Sequence, residues 1–313
     1  EGQKKLASKF LKPSKVKNDK INGEKFQLVD DLPILLDTPS HVHCSVLEIL
    51  NNGDHSLFLS EVNQVYFRYQ DTPVLNGIDL EVGEGELVGL VGANGSGKTT
   101  LIRLLSGVLR GSSGKISIDG IDLSGLSSSE RARFVSVVPQ NPSLPLGFSV
   151  LDVVLMGRTP HMRIDQWEGR YDIEIAERSM EQTSVDRLAN RNISTLSGGE
   201  RQRVVVAMAL AQETPVMLLD EPTSSLDIAY QTRIMDLIVG LHEQRGGVVL
   251  IAMHDLTLAA RYCTRIVMIS KGKIHADGSP REVLTKENIA QVYGVDVFVL
   301  PHPQGGTPVV VVV

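Results

Sequence analysis

Apolar positions along this chain recur in two rhythms. Between His41 and Val65 they alternate: Val42, Cys44 and Val46, then Leu57 and Leu59, are separated by polar residues, and Asn51-Asn52-Gly53-Asp54 lies between the two runs. Alternation places one strand face against a core, and a turn of this composition reverses the chain, so a β-hairpin is predicted. Short β-rich runs follow at 62–69 and 77–82, then a stronger strand at 86–91, a glycine-rich loop and a helix from 98 to about 108. Further strands are predicted at 115–118 and 134–138. The stretch 150–190 lacks strand signals, and Ile173, Ala176 and Met180 recur near helical spacing there. A helix at 199–211, a buried strand at 216–219, a helix at 228–244, a strand at 248–252 and a helix at 256–262 complete the pattern. Wholly apolar strands alternating with helices predict an α/β fold with a mainly parallel sheet covered on both faces.

The composition fits a globular chain: 42% hydrophobic and 22% charged over 313 residues, with mean hydropathy +0.01. That length predicts two domains, or one large domain with an appendage. The net charge of −6 lacks the basic footprint of a nucleic-acid binder. The longest apolar runs, such as Val309 to Val313, fall far short of the roughly 18–20 residues a spanning helix needs, so no transmembrane segment is expected. Cys44 and Cys263 form neither a metal cluster nor a disulfide framework, which suits a reducing compartment. No signal peptide is read at the start, and because the chain opens on Glu1 a start further upstream is expected. Charge divides the first 58 residues. Eight lysines lie between Lys4 and Lys25, and Asp30, Asp31, Asp37, Glu48 and Asp54 then follow without a Lys or Arg. Such a lysine run reads as a solvated face or a flexible arm.

The strongest chemical signal is Gly92-Ala93-Asn94-Gly95-Ser96-Gly97-Lys98-Thr99, followed by Thr100, between a predicted strand and a predicted helix. Glycines at these positions let the backbone curl so that several N–H groups face phosphate oxygens, and the helix N-terminus adds its dipole. Lys98 supplies a point charge for β- and γ-phosphates, and the Thr99 hydroxyl is placed to bind Mg²⁺. The apolar run Val216 to Leu219 then ends in Asp220-Glu221. A buried carboxylate costs several kcal/mol unless paired or on a metal, so two acids at a strand end read as chemistry. Asp220 is the second Mg²⁺ residue, and Glu221 is the group able to polarise an attacking water or take its proton.

Leu196-Ser197-Gly198-Gly199-Glu200-Arg201-Gln202 resembles the signature of ATP-binding-cassette (ABC) ATPases. The resemblance covers Leu59 to the end. It implies a P-loop NTPase (RecA-like) core with an antiparallel β subdomain and a helical signature subdomain, using ATP and Mg²⁺. It further implies that Ser197, Gly198, Gly199 and Glu200 bind the ATP held by a second copy of the subunit in a head-to-tail dimer. Tyr69 matches the aromatic that stacks on adenine, and Gln140 the glutamine that senses Mg²⁺ and water. Asp227, in Ser225-Leu226-Asp227, matches the loop that crosses the dimer, and His254 the histidine that holds γ-phosphate and Glu221.

The run Phe148 to His161, with Met156-Gly157-Arg158 at its centre, and the tail Val292-Tyr293-Gly294-Val295 with His302-Pro303 are similar to importer ATPases for iron–siderophore, haem and cobalamin. That likeness implies a peripheral subunit on the cytoplasmic face of the cell membrane, driving transmembrane permease subunits fed by a substrate-binding protein, with no nucleic-acid partner. It places the permease contact at 148–161. Arg158 is expected there as an exposed charge, against the competing reading of an internal salt-bridge partner. Branched-chain amino acid, zinc and manganese importers carry the same cassette, and soluble cassettes acting on DNA or ribosomes form a separate class. The chain between Lys98 and Asp220 lacks the long coiled coil of the DNA-acting type, and a single cassette differs from the usual ribosome-acting pair.

Residues 1–58 are expected to be an N-terminal extension and 59–313 the cassette. Within the extension, Lys25-Phe26, Leu32-Pro33-Ile34-Leu35-Leu36, His43-Cys44-Ser45-Val46, Gly53-Asp54-His55-Ser56-Leu57-Phe58 and Glu61-Val62 resemble the later half of a flavin reductase-like split barrel. His55 would match the histidine of that family's Gly-Asp-His run. The family's flavin-phosphate contacts would fall upstream, and flavin reductase activity is the third reading.

Overall fold

The computed structural model describes residues 16–17, 20–21, 24–29, 32–35 and 60–313, apart from 111–112, 146, 163–167, 225–226 and 304. The predicted hairpin between Val42 and Leu59, and His55 with it, lies outside these residues. The chain divides into two compact units, Glu1–His55 and Ser56–Val313. In the first, β1 (Val16–Lys17), β2 (Lys20–Ile21), β3 (Glu24–Val29) and β4 (Leu32–Leu35) form an antiparallel sheet in chain order.

The second unit is built on a six-stranded sheet. Its strands are β7 (Leu87–Val91), β10 (Val135–Val138), β11 (Val216–Asp220), β12 (Val248–Ala252), β13 (Arg265–Ser270) and β14 (Lys273–Gly278), in the order β10-β11-β12-β7-β13-β14. The first five run parallel and β14 closes the edge antiparallel to β13. Every residue of β7 and β12 is buried, as two covered faces require. Period two divides them: Leu87, Val91, Val249, Ile251, Ile266 and Met268 enter one core, and Val88, Leu90, Val248, Leu250, Val267 and Ile269 the other. A second, antiparallel sheet orders β6 (Thr72–Val82), β5 (Ser60–Tyr69), β8 (Ser113–Ile118) and β9 (Ile121–Asp122) as β6-β5-β8-β9.

The helices α1 (Lys98–Leu105), α2 (Val150–Leu155), α3 (Arg170–Gln182), α4 (Gly198–Ala211), α5 (Ile228–Arg245), α6 (Leu256–Tyr262) and α7 (Lys286–Tyr293) follow the predicted order as far as Tyr262. α1 is shorter than predicted: Gly107 turns left-handed (φ 79°) and Val108 stands 72% exposed. In α3 the apolar stripe is Ile175, Ala176 and Met180, while Ile173 faces outward. α4 is apolar nearly all round because two cores share it. Val205, Val206, Ala209 and Leu210 pack toward the sheet, and Val204, Ala207 and Ala211 toward α2 and α3. The strands β13 and β14, the helix α7 and the hairpin β15 (Val297–Pro301) with β16 (Pro308–Val312) were not anticipated from the pattern.

Candidate nucleotide site

Strand β7 ends where the glycine loop begins, and the loop conformation explains its composition. Gly92, Gly95 and Gly97 all have positive φ (152°, 78° and 113°). At Gly92 a Cβ would also collide with the Ile269 carbonyl oxygen, and at Gly97 it would stand 2.7 Å from Leu75 Cδ2. Lys98, buried at the start of α1, donates from Nζ to the Gly92 carbonyl at 2.7 Å and the Ala93 carbonyl at 3.3 Å. Burial holds this ammonium below its usual pKa, while Glu221 and Asp220 pull it upward. Asn94 is exposed at the loop's crest, Ser96 and Thr100 are buried, and Ser96 Oγ makes no hydrogen bond.

β11 lies one strand beyond β12 and brings the acids to the same end of the sheet. Thr99 Oγ1 donates to Asp220 Oδ1 at 3.0 Å, joining residues 121 apart in sequence. Burial raises the Asp220 pKa, Glu221 raises it further, and the Thr99 hydrogen bond with Arg103 and Lys98 works the other way. Glu221 leaves the strand with φ 48°, a left-handed conformation that costs a non-glycine residue about 1–3 kcal/mol. Its amide still bonds the Ala252 carbonyl at 3.0 Å, so the turn is fixed to β12 and its carboxylate is aimed along the sheet edge. There Gln140 Nε2 donates to Glu221 Oε2 at 2.7 Å, and His254 Nδ1 stands 3.6 Å from the same oxygen.

The hydroxyl of Thr99 and the carboxylate of Asp220 are hard oxygen donors, the kind Mg²⁺ takes one or two of when phosphates and water supply the rest. Among the described residues no group of three or more His, Cys, Asp or Glu could hold a metal unaided. This donor set therefore fits a cation carried with a phosphate ligand.

Lys98, Thr99, Asp220, Glu221, Gln140 and His254 thus meet at one site. The remaining predicted residues stand elsewhere. Ser197 caps α4: its Oγ accepts from the Glu200 amide at 3.3 Å, and the Glu200 carboxylate accepts from the Ser197 amide at 2.8 Å and hydroxyl at 2.7 Å. Those contacts hold the Glu200 pKa below the usual carboxylate range. Ser197 and Gly198 are exposed. Gly199 is buried, and a Cβ there would come 2.7 Å from the Tyr230 ring. Asp227 caps the neighbouring α5 by accepting from the Tyr230 amide at 3.0 Å. Tyr69 is 42% exposed at the end of β5, edge-on to Phe67 with ring centroids 4.9 Å apart. Among the described residues no hydrogen bond or ion pair joins Ser197–Glu200, Asp227 or Tyr69 to the phosphate-loop cluster. Ser225 and Leu226 lie outside the described residues.

The expectation for Arg158 is corrected. Its side chain is 3% exposed, with Nε 3.1 Å from Asp172 Oδ1 and Nη1 2.9 Å from Glu213 Oε2. Nη1 also donates to the Ala211 carbonyl at 2.7 Å, satisfying the C-terminal end of α4. Neighbouring Gly157 packs so tightly that a Cβ would strike the Met208 carbonyl oxygen. Gly157 and Arg158 are therefore an internal clasp on α4, and the large apolar side chains that this region exposes include Phe148, Met156 and Tyr171. Ser224, within 3.4 Å of Gln140 Nε2, was missed. A serine in a turn carries no periodic signal, and only the fold brings it to the glutamine.

Comparison with known proteins bears on this geometry. The ABC transporter family profile matches residues 75–224, and the Flavin reductase like domain profile matches residues 1–77. The chain is 41% identical over 235 residues to the cobalamin import ATP-binding protein BtuD of Halobacterium salinarum, covering 75% of this chain and 58% of that one. Over 248 residues it is 36% identical to the ferric enterobactin transport ATP-binding protein FepC of Escherichia coli K12, covering 79% of this chain and 92% of that one. The solved dimeric structure of MJ0796, a bacterial ABC transporter cassette, superposes with a TM-score of 0.63 at 27% identity, over 71% of this chain and 99% of that one. An α/β core carrying this phosphate loop, a helical subdomain hung on α4 and near-complete coverage of a 36%-identical relative lead to one assignment: the chain belongs to the family of ABC transporter ATP-binding proteins.

Proposed function

We propose that this chain is the ATP-hydrolysing subunit of an importer for iron–siderophore, haem or cobalamin, acting as a head-to-tail dimer beneath separate permease subunits. The observation that carries the hydrolytic part is the convergence of Lys98, Thr99, Asp220, Glu221, Gln140 and His254 from four segments onto one end of the parallel sheet. In this reading the loop 92–99 and Thr100 cradle the phosphates, with Lys98 exchanging its loop carbonyls for phosphate oxygens. Thr99, Asp220 and Gln140 hold Mg²⁺, which when bound neutralises charge on the phosphates. Glu221 takes the proton of the attacking water, kept in place by Gln140 and His254. Tyr69 stacks on adenine. Ser197, Gly198, Gly199 and Glu200, at the start of α4 where Ser197 and Gly198 are exposed, serve the ATP of the second copy, with Asp227 at the cap of the neighbouring helix. The solved dimer of a related cassette supports that arrangement.

The importer class rests on the names of the relatives, a cobalamin import and a ferric enterobactin transport ATP-binding protein. Among the described residues no helix is long and apolar enough to cross a membrane. In the importer reading the subunit sits peripherally on the cytoplasmic face, with the permease and, through it, a substrate-binding protein as partners, and no nucleic acid. The cassette occupies 59–313, since β5 already pairs with β8, and 1–58 is an appended piece.

The reading is tested by phosphate release from ATP by the purified chain, alone and with a permease in vesicles offered labelled ferric siderophore, haem and cobalamin. ATP hydrolysis coupled to uptake of one of these is expected. Hydrolysis coupled to none would overturn the importer class, and no hydrolysis in either setting would overturn the function.

A further inference from the structure

The turn between β13 and β14 is bonded to the phosphate loop. It is a two-residue hairpin, Lys271-Gly272 between the paired Ser270 and Lys273, and both central residues take left-handed conformations (φ 49° and 74°). A turn of this hand favours asparagine or glycine at both positions, so the lysine is held under backbone strain. At Gly272 a Cβ would strike the Val74 carbonyl oxygen of β6. From this turn the Gly272 amide donates to the Ser96 carbonyl at 3.0 Å, inside the glycine loop. One residue of β6 holds the turn in place. Asn76 donates from its backbone amide to the Gly272 carbonyl at 2.8 Å, and from Nδ2 to the Lys271 carbonyl at 2.9 Å, 195 residues further along the chain.

The Ser96 carbonyl shares one planar trans peptide with the Gly97 N–H, and the two groups point in opposite directions. Fixing the carbonyl on Gly272 therefore turns the Gly97 N–H away from β6 and the β13–β14 turn. That flank of the loop is filled, since Cβ atoms at Gly92 and Gly97 would meet the Ile269 carbonyl oxygen and Leu75. A Cβ at Gly95, by contrast, would meet nothing within 4 Å. The Gly97 donor is thus aimed at the flank that remains for a phosphate oxygen. An amide held in its binding direction before the ligand arrives spares the cost of ordering it afterwards.

We propose that Asn76 is a positioning residue for the phosphate loop: by holding the Lys271-Gly272 turn against Ser96, it fixes the direction of the Gly97 N–H. The inference rests on the reading of the loop as an ATP cradle. Asn76→Ala removes the Nδ2 hydrogen bond and keeps the backbone one. ATP binding to the full chain without Mg²⁺, followed calorimetrically well below the melting temperature, should weaken about five-fold, the worth of one ordinary hydrogen bond. The number of ATP sites per chain should stay that of the parent protein. A dissociation constant equal to the parent's would overturn the proposal. Fewer sites per chain would overturn it too, whatever the constant, because a folding defect then accounts for the loss. If the parent protein itself bound no ATP, the functional reading would fail first and the inference with it; parent binding with an unaffected Asn76→Ala variant removes the inference alone.

Discussion

Gln140 and Glu221, 81 residues apart in sequence, meet at 2.7 Å between the glutamine Nε2 and the carboxylate Oε2. The amide donates, so it fixes the direction of the carboxylate, and it leaves the second oxygen free of Gln140. Because Gln140 follows β10 and Glu221 follows β11, a shift of either strand end changes this contact. Glu221→Gln should therefore keep ATP affinity and lower turnover by about 10²–10⁴, the usual contribution of a positioned base. Gel filtration with ATP should show a dimer of this variant, and undiminished phosphate release would remove Glu221 from its role.

Among the described residues no hydrogen bond or ion pair joins Lys98 to Ser197 within one chain. Lys98→Ala should abolish productive ATP binding, and Ser197→Arg should preserve binding by the monomer while blocking hydrolysis. Mixed together, the two inactive variants should regain part of the activity, since one composite site then pairs an intact Lys98 with an intact Ser197. Full turnover by a strictly monomeric protein would contradict the composite site.

Asp220 carries a pH signature. Burial, with Glu221 as a second cause, raises its folded-state pKa above the ordinary 3.8. A carboxyl that holds its proton more tightly when folded loses stability as pH rises from the unfolded value through the folded one, and carries that penalty unchanged above it. Asp220→Asn should thus melt higher than the parent near neutral pH without nucleotide, with the gap closing as pH falls below 3.8. It should also lose hydrolysis. Equal melting curves at neutral pH would show that the Thr99 hydrogen bond offsets the burial.

Arg158 tests structure against coupling. It is enclosed with Asp172, and removing one partner of such a pair leaves an uncompensated buried charge, at a cost of about 3–5 kcal/mol. Arg158→Ala should lower stability in urea by that order and reduce basal hydrolysis with it. A stable, hydrolytically normal variant that fails only in transport would restore the role of an exposed coupling charge.

Deletion of residues 1–57 removes no group assigned to the nucleotide site. ATP hydrolysis should stay within about a factor of three of the full chain, a change of well under 1 kcal/mol in barrier. Loss of folding or of hydrolysis would show that the cassette depends on the extension.

The sequence by itself determined the chemistry available and much of the order of elements. Gly92 to Thr99 could be recognised because a phosphate loop is a local object: its glycines, lysine and hydroxyl lie within eight consecutive residues between a strand and a helix. The buried parallel strands were legible because two covered faces demand uninterrupted apolar runs, as in β11 and β12. The pattern did not reveal β13, an apolar run of the same kind that pairs with β7 far back in the chain.

What only the tertiary structure decided were the relationships between distant segments. Arg158 looked like a surface charge in a motif, yet packing against α4 and the carboxylates of Asp172 and Glu213 makes it an internal clasp. Burial and partner choice are set by which elements meet, a property that no window of residues contains. The left-handed turn of Glu221 and the approach of Gln140 and His254 to one carboxylate oxygen arise in the same way. Each depends on the register in which β10, β11, β12 and β7 align, because that alignment brings their C-terminal ends to one edge and fixes which side chains share it.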